Sequence, residues 1–160
     1  MMTQYSATVE WSRRDSVFTD NRYSRAHLWR FDGGLTVPAS SSPQAVRVPF
    51  SDPGAVDPEE ALIASVSSCH MLWFLSLAAK AGLKVESYVD TAVGRAAWNE
   101  AGKEWLERVE LRPAVAFCGD REPGDREILD LHRAAHEECF IANSIRAQVL
   151  VEGSWSYSAY

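Results

Sequence analysis

Two cysteines in this chain stand where thiol chemistry is possible: Cys69, inside the apolar run SVSSCHMLWFLSLAAK, and Cys139, at the end of LHRAAHEEC. A cysteine in an apolar run is either inert filling, because free Cys is among the most buried residue types, or a nucleophile held in a dry place. The neighbours of Cys69 bear on the choice. A helix that only fills a core has no need of Ser67, Ser68 and His70 at its centre, and each of them must find a hydrogen bond there. A thiol buried in apolar surroundings keeps its proton, and a nearby guanidinium reverses this by stabilising the thiolate. Arginine suits that task better than lysine because it does not lose its charge. Arg25 and Arg30 lie in an alternating segment with Trp29 and Phe31 and are the candidates, although either also reads as part of a solvated strand face. Glu59, in DPEE, is placed to hold such an arginine beside the thiol, whereas Glu60 reads as an acidic residue at a helix start.

A second constellation competes for Cys139. His132, His136 and Cys139 fall at i, i+4 and i+7 on one helix face, and Cys69 or His70 could complete a tetrahedral zinc site. Two histidines on a helix are more often hydrogen-bonded or half exposed, so zinc is the alternative, not the main reading. Cys118 has no partner in the pattern and reads as packing. Cys69 and Cys139 lie on separate helices and can meet only through the tertiary fold, which sequence spacing does not show.

The 160 residues suit a single domain, 1–160, and 46% of them are apolar, enough for a sizeable core. The net charge of −6 and the absence of a basic stretch argue against nucleic-acid binding. Three cysteines with no CxxC make no disulfide framework, and the N-terminus has no apolar signal segment, so a reducing cytoplasm is expected. The apolar stretch Ala61–Ala79 approaches membrane-span length, but its four serines and His70 and its lack of flanking basic clusters favour a core helix over membrane insertion.

The elements that must position these residues follow from periodicity. Alternation predicts strands over Tyr5–Ser12, Tyr23–Phe31, LTVPAS after the Asp32–Gly34 turn, Val46–Phe50, Lys84–Trp98 and Glu104–Phe117, with a last strand in RAQVLVEGSW. Asp57 as N-cap, Pro58 at the first position and Gly82 as stop bound a long helix, apolar all round and therefore buried on most sides. Asp125–Cys139 is an amphipathic helix, followed by a short helical turn or loop in FIANSI. Strands group at both ends of a long central helix, an α+β arrangement.

The order and spacing of these segments resemble a known family. DPEEALIASVSSCH, with ten residues from Glu59 to Cys69, followed late in the chain by AHEECFIANSI, is similar to the osmotically inducible protein C and organic hydroperoxide resistance (OsmC/Ohr) pattern. AAKAGLKVESYVDTAVG and RVELRPAVAF fit it too, and the resemblance covers about residues 5–152. It implies a two-layer fold with antiparallel sheets around a long central helix, intertwined as a homodimer with active sites at the interface. It implies a peroxidatic Cys69, a resolving Cys139, an arginine from the N-terminal sheet matched best by Arg25 with Arg30 as fallback, and Glu59 holding that arginine. The reaction implied is reduction of organic hydroperoxides, with no bound cofactor or metal, recycled by an external dithiol of lipoyl or thioredoxin type. Trp29, Met71, Trp73 and Phe74 are candidates for an apolar substrate path, although they read equally as core. His70 stands where that family commonly has Phe, and the loop between Gly34 and Pro58 departs from its usual pattern. The rival on the same fold is a protein that binds a small apolar molecule or lipid without turnover.

Overall fold

The computed structural model describes residues 3–159. They form two compact units, residues up to Ala61 and those from Leu62 onward. The first unit holds a three-stranded antiparallel sheet of β1 (Ala7–Glu10), β2 (His27–Phe31) and β3 (Thr36–Ala39), in the order β1-β2-β3. The expected strand Tyr23–Phe31 loses its first four residues, because the Arg25 N–H bonds Phe50 O, outside the ladder with β1. Val46–Phe50 is not a strand. Its backbone closes turns instead, Val46 N–H to Ser42 O and Phe50 N–H to Arg47 O, and Pro49 has no N–H to give a ladder.

Helix α1 (Pro58–Lys80) begins with a reciprocal cap. The Glu60 N–H donates to Asp57 Oδ1 at 2.8 Å, and the Asp57 N–H donates to Glu60 Oε2 at 3.4 Å. At its other end Gly82 takes φ 72°, the Gly82 N–H bonds Ala79 O, and the Leu83 N–H reaches back to Ala78 O. That is a Schellman closure, with Leu83 buried as its hydrophobic seal. Its length and composition would allow α1 to cross a membrane.

In the second unit, the two long strands expected from alternation each break in two. β4 (Lys84–Asp90) and β5 (Val93–Trp98) belong to different sheets, as do β6 (Glu104–Leu111) and β7 (Pro113–Cys118). With β8 (Gln148–Val151) and β9 (Ser154–Ser158) they make the sheets β4-β7-β9 and β5-β6-β8, in which β8 and β9 run parallel to β6 and β7. The breaks lie at one level. Pro113, opposite Asp90, offers no N–H to the ladder, and Asp90 Oδ1 instead accepts the Arg112 N–H at 2.6 Å. Gly153 sits at the third break. A Cβ there would lie 3.0 Å from Pro113 Cγ and 3.1 Å from its carbonyl oxygen, so the close approach requires glycine.

The core follows the same division. Val66 packs with Val109 and Leu111, against which Ile141 and Ile145 rest. Phe74 and Ala78 pack with Val115, Phe117, Ile128, Leu131 and Ala135. The last three come from α2 (Asp125–Glu138), and Ile141 from α3 (Phe140–Ser144). Within the single chain the wholly buried residues of α1 fall on one stripe: Val66, Cys69, His70, Phe74 and Ala78. Leu72 is 63% exposed, so the all-round burial expected from the helix's composition is not met by this chain alone.

Candidate functional site

Cys69 and His70 sit on the α1 stripe between Val66 and Phe74, at the seam between the two core clusters. Across from them lies α2, whose inner face carries Ile128, Leu131, His132 and Ala135. Cys139 ends this helix as its C-cap and starts α3 as the N-cap, its sulfur accepting the Ala142 N–H at 3.4 Å. Cys139 is fully buried and Cys69 nearly so, both are free thiols, and Cys69 stands near enough to Cys139 to perturb its ionisation. Burial, and then the neighbouring Cys69, push the Cys139 thiol above the ordinary range. The tertiary fold therefore brings together two cysteines that lie on separate helices.

The polar residues around Cys69 are also accounted for. Ser67 Oγ donates to Asp90 Oδ2 at 2.5 Å, and the exposed Ser68 turns back to Ser65 O at 3.4 Å. His70 Nε2 meets His132 Nδ1 at 3.0 Å, with the rings stacked within 8° of parallel, and Phe74 stacks on His132 at 4.3 Å. Both imidazoles are buried, which lowers their pKa values to about 4. One ring therefore donates and the other accepts, both neutral. This pair is the feature that sequence reasoning missed. Its signal was present, a histidine in an apolar helix and a histidine on the inner face of α2, but it was read toward zinc. Among the described residues no group of three or more His, Cys, Asp or Glu side chains is placed to hold a metal ion.

The other candidates lie as follows. Arg25 lies two residues before β2. Its guanidinium donates to Asn21 Oδ1 at 2.7 Å and to the backbone oxygens of Asn21 and Tyr23, and it lies 4.0 Å over the Tyr23 ring. Glu59 is exposed in the first turn of α1, and among the described residues no ion pair joins it to Arg25. Arg30 is paired with Glu10 at 3.0 Å on an exposed strand face. Trp29 is half buried and donates to His27 Nε2 at 2.9 Å. Met71 is half buried, and Trp73 rests against the Phe74 cluster. Phe74 itself is fully buried among Tyr88, Phe117 and His132, which leaves it no face toward solvent in this chain. Cys118 is buried and donates to Glu86 Oε2 at 3.4 Å; burial and then that bond raise its pKa, the behaviour of a packing thiol.

The model of the OsmC-like protein family matches residues 51–153, most of the chain and both cysteines. An OsmC-like protein of unknown function from Vibrio cholerae is 52% identical. Its solved structure superposes with a TM-score of 0.93, covering 96% of this chain and all of that one. The chain belongs to the OsmC-like family. Among more distant structures, an organic hydroperoxide resistance protein from Elizabethkingia anophelis is 19% identical, with 99% of both chains covered and a TM-score of 0.70. The organic hydroperoxide resistance protein OhrB of Bacillus subtilis is 15% identical, with 96% of this chain and 98% of that one covered and a TM-score of 0.59. These two share the fold. The search of curated proteins found no match.

Proposed function

We propose that this protein is a thiol-dependent peroxidase that reduces organic hydroperoxides, with Cys69 as the peroxidatic and Cys139 as the resolving cysteine. The observation that carries the reading is that two buried free thiols from separate helices are neighbours in one chain. The names of the Elizabethkingia and Bacillus proteins support the substrate class. In the first step the Cys69 thiolate attacks one peroxide oxygen. The O–O bond breaks, Cys69 becomes a sulfenic acid, and the other oxygen leaves with its alkyl group and takes a proton to become an alcohol. In the second step the Cys139 sulfur displaces the sulfenic oxygen as water and forms the Cys69–Cys139 disulfide. An external dithiol of lipoyl or thioredoxin type then returns both thiols by exchange and is itself oxidised.

In this scheme a cation stabilises the charge that develops on the leaving oxygen. Arg25 is the residue we assign to that task, with Glu59 as its partner once the guanidinium leaves Asn21 and Tyr23. Met71, Trp73 and Trp29 are the proposed apolar lining. The protein is expected to work in the cytoplasm as a homodimer, with a second copy covering the exposed side of α1. The experiment is steady-state reduction of cumene hydroperoxide with a dithiol. Cys69→Ser should abolish turnover, and wild-type turnover by Cys69→Ser would end the reading. Arg25→Ala should lower kcat/KM about a hundredfold or more, within the range measured when one charge-stabilising group is removed, and Arg30→Ala should leave it unchanged.

A further inference from the structure

The histidine pair beside Cys69 plays no part in the chemistry above, and it is built with more precision than packing requires. His70 lies next to Cys69 on α1, and His132 lies two turns before Cys139 on α2. The same two helices thus meet twice, where Cys69 and Cys139 are neighbours and at the 3.0 Å imidazole contact. Around the pair stand Phe74 on His132, Gly153, where an added Cβ would lie 3.3 Å from His132 Nε2, and Asp90 and His136 within electrostatic reach of His70. His70 Nδ1 is buried without a partner. Apolar side chains would hold α2 against α1 but would tolerate sliding. A buried hydrogen bond does not, because a shift of about 1 Å leaves two more nitrogens unpaired in the core.

We propose that His70 and His132 are positioning residues for disulfide closure: the bond between their rings fixes α2 on α1 so that Cys139 meets the oxidised Cys69. The idea rests on the peroxidase reading, and it makes resolution, not peroxide attack, the step that depends on the pair. One added proton can sit on the outer nitrogen of the donating ring and leaves the bond in place, so the bond breaks only when both rings are charged and two donors stand face to face. The charged and titratable groups facing it are His136 on α2 and Asp90 at the end of β4; His136 disfavours a charge on His70 and Asp90 favours one. The pair should therefore exert its full effect on closure above about pH 6, where both rings are neutral, and lose it only as the pH falls below about 4 and both become charged.

The test compares His70→Phe, which keeps a planar ring without the bond, with His70→Gln, whose amide can place a polar atom near the Nε2 position. Each protein is mixed with one equivalent of cumene hydroperoxide. Peroxide loss, dimedone-trappable sulfenic acid at Cys69 and the Cys69–Cys139 disulfide are then followed by rapid quench and mass spectrometry between pH 4 and 8. His70→Phe should consume peroxide at the wild-type rate but close the disulfide about tenfold more slowly at pH 7, a deficit that narrows at the acid end as the wild type loses the bonded pair. His70→Gln should recover most of the closure rate. Wild-type closure in His70→Phe, or equal defects in Phe and Gln, would overturn the proposal. If the wild type itself does not consume peroxide, the peroxidase reading fails instead. Equilibration in a glutathione redox buffer then still tests the pair: an effective concentration of Cys139 toward Cys69 about tenfold lower in His70→Phe supports positioning, and equal values overturn it.

Discussion

Two pairs of side chains govern the site, and they differ in charge logic. Cys139 is held in its protonated form by burial and by the neighbouring Cys69, so the account predicts that iodoacetamide labels Cys139 slowly at neutral pH and about tenfold faster for each unit of rising pH until the thiol ionises. Mass-spectrometric mapping of the labelled cysteines measures this. Cys139→Ser should still consume one equivalent of peroxide and accumulate sulfenic acid at Cys69, while multiple turnover with a dithiol slows severely. The histidines act on stability. Their folded pKa values, about 4, lie below the ordinary 6.5, so the unfolded chain binds more protons between those values. Their contribution is therefore complete above about pH 6.5 and is lost as the pH falls toward 4, with a ceiling of roughly 3 kcal/mol per ring at about 1.4 kcal/mol per unit. Urea midpoints measured from pH 7 to pH 5 should fall in the wild type and fall less in His70→Phe. A midpoint that is flat for both would contradict the burial argument.

The elements show which parts of the structure a sequence can announce. Helix α1 was legible at both ends because its signals are local: Asp57 and Glu60 cap each other, and only glycine takes φ 72° at position 82 without strain. Asp57→Ala should cost about 1 kcal/mol, which corresponds to a fall in melting temperature of roughly 2–4 °C, readable by calorimetry. The long strands were only half legible. Alternation located Lys84–Trp98 and Glu104–Phe117, but it is the same on both sides of a sheet change. What splits them is the pairing of Pro113 with Asp90 and the approach of Gly153 to Pro113, both contacts between distant parts of the chain. Val46–Phe50 alternates as a strand should and is not one, because alternation says nothing of whether a partner strand exists to receive it. The site divides in the same way. The spacing of Glu59 and Cys69 is local and readable, whereas the meeting of His70 with His132 depends on how α2 lies on α1 and is not.

At the scale of the whole molecule, the apolar surface of α1 is incompletely used. Leu72 is 63% exposed and Phe140, beside Cys139, is 54% exposed, which is what a chain built to receive a second copy would show. Light scattering coupled to size exclusion should give twice the 17.8 kDa chain mass, and Leu72→Lys should shift it toward one chain or cause aggregation. A monomeric wild type would contradict the proposed homodimer but would leave the two thiols neighbours, since both sulfurs belong to one chain. The central claim is that the fold brings two buried thiols together for peroxide reduction, and its most direct measurement is peptide mapping after one equivalent of cumene hydroperoxide under non-reducing conditions. The account predicts a single linkage between Cys69 and Cys139 within one chain, formed stoichiometrically, with Cys118 remaining a free thiol. Unchanged thiols at Cys69 and Cys139, with the peroxide still intact, would contradict it.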